Sequence, residues 1–180
     1  MSTLTLPPGH TYWTRELADS LLPDDAFRRE VLDGELIVAP NAPAIRHQDL
    51  LMHLLRQIDA ALPAGWKLFT SPVDVAFPWG DVAQPDLVAC SAEQVDLDVG
   101  LVAAPAMVVE VLSPSTRGRD LVVKRRLYER HGIETYAIAD PNALTLTIVT
   151  RDDDGRLVET AQGATVELTR PFPLTLHASS

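Results

Sequence analysis

The chain has 180 residues, 46% of them hydrophobic and 22% charged, which suits a single domain over 1–180 that buries a real core. No run approaches the roughly 18 apolar residues of a membrane span, residues 1–17 lack the basic start and apolar stretch of a secretory signal, and the lone Cys90 excludes an internal disulfide or a thiolate cluster; a cytoplasmic protein without membrane contact is expected. The net charge of −10 argues against strong non-specific binding of nucleic acid, which draws on counterion release at phosphates.

Thr14 has the character of a helix N-cap and opens a short helix over about 14–21, stopped by Pro23. Residues 28–32 and 35–39 read as two strands joined by Asp33-Gly34, a dipeptide that takes up the positive φ angles of a type I′ turn. Glu35 then stands at the first position of its strand. A long helix over 44–62 carries His47, Leu51, Leu54, Ile58 and Leu62 on one face. Short strands follow at 66–70 and 73–77, then a compact apolar strand over 86–90 with Pro85 at its entrance, where no ladder donor is needed. The polar stretch 91–100 is weakly helical at best. Residues 106–112 form a nearly continuous apolar run, the pattern of a central strand buried on both faces.

Ser113, Pro114, Ser115 and Thr116 supply turn and capping residues for a helix over about 117–131, with Asp120, Lys124, Leu127, Tyr128 and His131 on one face and Gly132 at the end. Six of the fifteen basic residues, Arg117, Arg119, Lys124, Arg125, Arg126 and Arg130, crowd into this segment. A polyanion-binding surface is expected there, with a solvated helix face as the plainer alternative. A strand at 134–139 and strands at 144–150, 156–160, 164–168 and 174–176 complete the chain.

One charge interrupts the run Met107-Val108-Val109-Glu110-Val111-Leu112, and a carboxylate in such a strand needs a partner or an ion. A buried salt bridge is one answer. Asp86 suggests another: if its strand pairs with that of Glu110, two carboxylates converge at one sheet end and repel unless a cation lies between them. Oxygen ligands of this kind suit Mg²⁺ or Mn²⁺. Asp86 taken alone also fits a capped strand entrance after Pro85. Lys124 can reach the same point if its helix folds back on the Glu110 strand, with Asp120 four residues earlier to orient the ammonium.

The ordered set Gly34-Glu35-Leu36, His47, Pro85-Asp86-Leu87-Val88, Val109-Glu110-Val111-Leu112-Ser113-Pro114-Ser115-Thr116, Asp120, Lys124, Tyr128 and Gly132 to Pro141 resembles the Uma-type putative restriction endonuclease family of the PD-(D/E)XK nuclease superfamily. The resemblance runs from about residue 12 to 149. It implies an α/β (α+β) restriction-endonuclease-like core, a central mixed sheet flanked by helices, to which the N-terminal hairpin and the C-terminal antiparallel strands are added. It also implies a Mg²⁺ or Mn²⁺ site with Asp86 and Glu110 as ligands, Lys124 as the catalytic lysine, and Glu35, His47, Asp120 and Tyr128 in support. Arg117, Arg119 and Arg125 on the basic helix are the expected contacts to nucleic acid, DNA in the first instance. Leu112 stands where the wider superfamily keeps its lysine two residues after the second carboxylate, so the lysine role moves to Lys124. A nuclease with one site per chain often cuts both strands as a homodimer, the expected assembly here. Two other readings stay open: a non-catalytic interaction module on the same fold, favoured by the acidic balance, and a purely structural salt-bridge network.

Overall fold

Two β-sheets share one apolar cluster, and a second cluster covers the far face of the larger sheet. The computed structural model describes residues 6–22, 27–40, 44–96, 100–101, 103–114 and 117–179; the expected helix stop at Pro23 and the turn and capping residues Ser115 and Thr116 lie outside them. In chain order the elements are α1 (Arg15–Leu21), β1 (Phe27–Leu32), β2 (Glu35–Pro40), α2 (Ile45–Ala61), β3 (Trp66–Thr70), β4 (Val75–Ala76), β5 (Val82–Ala83), β6 (Leu87–Ser91), β7 (Val95–Asp96), β8 (Gly100–Leu101) and β9 (Met107–Val111). A π-helical turn (Arg119–Lys124) then runs into α3 (Arg125–Arg130), followed by β10 (Thr135–Asp140), β11 (Thr145–Arg151), β12 (Leu157–Gly163), β13 (Thr165–Leu168) and β14 (Leu174–His177).

The larger sheet has the order β12-β11-β10-β9-β6-β3 and is mixed, with β9 and β10 parallel and every other neighbour antiparallel. All five residues of β9 are buried, as the unbroken apolar run demands, because side chains alternate between two covered faces. Met107, Val109 and Val111 meet Leu50, Leu51, Leu54 and Ile58 of α2 together with the β13–β14 hairpin. Val108 and Leu112 turn the other way, into a cluster with Leu127 and Tyr128 of α3 and with Leu32, Val75, Ala83 and Leu101 of the smaller sheet. That sheet has the order β2-β1-β5-β4-β8-β7. The expected mixed sheet flanked by helices is thus present, with the N-terminal hairpin as part of a second sheet.

Local chemistry fixes several joints. Thr14 caps α1, its Oγ1 accepting from the Leu17 N–H at 3.2 Å. Asp33 and Gly34 adopt φ 53° and 76° between β1 and β2, the paired positive angles of a type I′ turn. Arg151 at the end of β11 reaches under α3: its guanidinium donates to the Ile133 carbonyl at 3.1 Å, to the carbonyls of Tyr128 and Glu129 at the end of α3, and to that of Gly155 in the following turn. The Glu129 carboxylate in turn accepts from the Leu157 N–H at 2.7 Å.

Three expectations need correction. The strand expected over 73–77 is only Val75–Ala76, because the chain bends into the turn Pro78–Gly80. The stretch after β6 holds a one-turn 3₁₀ helix and the two-residue β7 rather than a weak helix, as far as residue 96. The helix expected over 117–131 begins as a π turn, with Asp120 and Lys124 both buried in it.

Candidate active site

Register brings the carboxylates together. Strands β6 and β9 pair antiparallel with Leu87 opposite Val109, so Asp86, one step before β6, falls beside Glu110. Both are buried, 4% and 2% exposed. Asp86 Oδ2 accepts from the Val111 N–H at 2.8 Å and lies 3.3 Å from His47 Nε2, which the first turn of α2 presents. Burial disfavours the charged form of Asp86, yet the hydrogen bond from His47, the Arg28 guanidinium and the Val111 N–H together hold its pKa below the ordinary carboxylate value.

Lys124 is the centre of the arrangement. It is 1% exposed, and its Nζ stands 2.6 Å from Glu110 Oε1, 2.9 Å from Glu30 Oε1 and 3.7 Å from Asp120 Oδ1. The π turn and α3 set its position by packing Leu127 and Tyr128 against the larger sheet, and the Tyr128 hydroxyl donates to the same Glu110 oxygen at 2.8 Å. Burial works against the ammonium, but Glu110 and Glu30 more than offset it and raise the lysine pKa, so the charge is retained. Tyr128 is pushed well above its usual value by burial and by Glu110, which keeps its hydroxyl a donor.

Glu30 on β1 completes the cluster. Its Oε1 also accepts from the Gln84 N–H at 2.8 Å, and its Oε2 lies 4.0 Å from Arg119 Nε. Against the cost of burial, Lys124, Arg28 and the Gln84 N–H hold Glu30 below the ordinary range. Glu110 goes the other way: burial, with Asp120 and Asp86 adding to it against the pull of Lys124, pushes its carboxyl up to about 8. Four carboxyl groups, Glu30, Asp86, Glu110 and Asp120, thus surround Lys124 and Arg28 in a buried place, with the Glu110 group raised towards its protonated form.

The sequence profile of the Uma2 family, described as putative restriction endonuclease, matches residues 16–179. The chain belongs to the Uma2 family. No curated protein matches it. Among solved structures, the crystal structure of a putative nuclease belonging to DUF820 from Anabaena variabilis is similar at a TM-score of 0.67 and 16% identity, over 84% of this chain and 86% of that one. At that identity the likeness shows the fold, a restriction-endonuclease-like one with a central mixed sheet.

In this Uma2 chain Asp86, Glu110, Lys124, His47, Asp120 and Tyr128 come together as the sequence suggested. Glu35 does not. It is exposed beside the hairpin turn, opposite Leu32, and Glu30, five residues earlier on the same hairpin, occupies the site in its stead. The basic helix is also less available than its charge suggests: Arg117 is paired with Asp140 at 2.6 Å, Arg125 donates to the Leu157 carbonyl at 2.7 Å, and Arg119 is turned toward Glu30. Reading the sequence missed Glu30, Arg28 and the Gln84 backbone.

The donor set is all oxygen, as a hard divalent cation prefers. Among the described residues no three acidic, histidine or cysteine side chains already converge as a metal cage; the carboxylates converge on Lys124 and Arg28. Asp86 Oδ2 and Glu110 Oε1 are engaged by the protein, whereas Asp86 Oδ1 and Glu110 Oε2 face, among the described residues, only the long contacts of Arg28, 3.3 and 3.8 Å. Two carboxyl oxygens held so loosely fit a divalent ion. Among the described residues no helix is long and apolar enough to cross a membrane.

Proposed function

We propose that the chain is a divalent-metal-dependent endonuclease that hydrolyses phosphodiester bonds of nucleic acid, DNA in the first instance, with Mg²⁺ or Mn²⁺ held by Asp86 and Glu110. The observation that carries this reading is the register of β6 on β9, which sets the two carboxylates at one sheet end beside a lysine that is 1% exposed. A bound divalent ion would neutralise the phosphate and favour ionisation of the attacking water. His47 and the Val111 N–H orient Asp86, while Tyr128 and Lys124 fix the rotamer of Glu110. Lys124, kept charged chiefly by its carboxylate neighbours, would stabilise the negative charge that grows on the phosphate oxygens. The basic segment and a homodimer that presents two such sites would serve double-stranded substrate.

Two observations favour the second reading, a non-catalytic interaction module: Arg117, Arg119 and Arg125 are turned to partners within the protein, and the net charge is −10. Incubation with supercoiled plasmid, linear DNA, single strands and RNA separates the two, with Mg²⁺, Mn²⁺ or chelator. Cleavage that needs the metal and falls by about 100-fold or more in Asp86→Ala and in Lys124→Ala is expected. Intact substrates of all four kinds after incubation with wild-type protein and either metal would sink the nuclease reading.

A further inference from the structure

Arg28 differs from the other cations of the site in facing the oxygens of Asp86 and Glu110 that no other described side chain holds. It projects from β1 on the same side as Glu30, two residues on, as the strand alternation requires. Its Nη1 lies 3.3 Å from Asp86 Oδ1, and its Nη2 lies 3.5 Å from Glu30 Oε1 and 3.8 Å from Glu110 Oε2. A guanidinium committed to a carboxylate makes two parallel bonds near 2.8 Å. This one faces three carboxylates, makes long hydrogen bonds to Asp86 and Glu30, and forms a bidentate pair with none. Its Nε–H is buried with no hydrogen-bond partner among the described residues, a cost that a well-seated arginine avoids.

The oxygens it faces are informative. Asp86 and Glu110 each give one oxygen to the protein, Oδ2 to the Val111 N–H and His47, and Oε1 to Lys124 and Tyr128. Arg28 stands over the other two. Its side chain is also 19% exposed, while Glu30, Glu110 and Lys124 are at 1–2%, so it lies on the solvent side of the cluster. A cation that uses Asp86 Oδ1 and Glu110 Oε2 must take the place of the guanidinium.

Resting on the metal site proposed above, we infer that Arg28 is a displaceable resident cation: it holds the ligand oxygens together without the metal, competes with the divalent ion for them, and leaves when the ion binds. The arrangement explains the loose contacts, since a tighter fork would shut the metal out. It also explains how two carboxylates and Glu30 stay buried side by side without an ion, because the guanidinium supplies the compensating charge. Metal uptake then frees one arginine at the mouth of the site.

The test is Mn²⁺ binding, followed by the paramagnetic resonance signal of the free ion, to full-length wild type, Arg28→Met and Asp86→Asn. Removal of the competing charge should tighten Mn²⁺ binding by about tenfold in Arg28→Met, and Asp86→Asn should bind weakly. Equal or weaker binding in a folded Arg28→Met overturns the role of Arg28 and leaves the metal site standing. No binding by wild type or by Arg28→Met overturns the metal site itself. Should Arg28→Met not fold, hydrogen exchange at the Arg28 Nε–H of wild-type protein gives the answer. Saturating Mg²⁺ should speed it by about tenfold or more as the buried group reaches water, and an unchanged rate overturns the inference.

Discussion

At the scale of single residues, Glu30 separates the site from its surroundings. Its charge faces Lys124 at 2.9 Å and Arg28 at 3.5 Å, and Gln84 donates a backbone N–H to the same oxygen. Glu30→Gln keeps the shape and removes the charge. It should slow cleavage about tenfold or more, because the lysine loses one of the two anions that hold it. It should also cost on the order of 1–3 kcal/mol in urea unfolding, since a buried charge pair is broken from one side. Glu35→Gln, on the exposed start of β2, should leave both within error, about 0.5 kcal/mol. The reverse result would return the role to Glu35. Glu30 was illegible in the sequence for a physical reason. Arg28, Arg29 and Glu30 are three consecutive charges, which reads as a strand with water on at least one side. Here both sides are covered: Arg29 turns toward Asp19 of α1 and Glu30 toward Lys124. Glu110 was legible because a lone charge in an apolar run has no such reading.

At the scale of elements, the β1–β2 hairpin sets where Arg28 and Glu30 stand, and Gly34 sets the hairpin. Its φ is 76°, and a Cβ placed there would meet Tyr12 Cβ at 2.9 Å. Gly34→Ala should therefore cost about 1–3 kcal/mol, from the strained angle and from the displaced residue 12 region. Because β1 also pairs with β5 through Val31 and Val82, the strain should reach the site and lower cleavage as well as the denaturation midpoint. A variant of unchanged midpoint would show that the turn is tolerant. The Asp33-Gly34 signal identified this hairpin correctly, and the 3.6-residue period of α2 located its buried face, since both are local. The two-residue strands β5, β7 and β8 were not legible: each is held by the neighbours it finds in space, and two residues carry no period. The π turn at Arg119–Lys124 was hidden too, because its hydrogen-bond shift leaves Asp120 and Lys124 on one face as an α-helix does.

At the scale of the molecule, the charged cluster lies where the two sheets and α3 meet, so its ionisation is a term in the stability of the whole fold. Glu110 is raised to about 8 by burial. A raised acid stabilises fully below its unfolded value and loses that stabilisation as pH rises through the folded one. Glu30 and Asp86 are lowered; their contribution is present above the ordinary carboxylate range and is lost as pH falls through their folded values. Stability of the metal-free protein should thus decline from about pH 5 to pH 8, by several degrees of Tm. In Glu110→Gln that slope should flatten. A wild-type Tm that holds constant or climbs over this window would refute the assignment.

The grip of Arg151 on the end of α3 carries a consequence of a mechanical kind. The helix that delivers Lys124 and Tyr128 is moored at its far end to the β11–β12 hairpin, whose Asp152–Gly155 turn lies at the surface. A single protease nick in that turn would leave each ionisable group of the site in the chain, and the mooring slack.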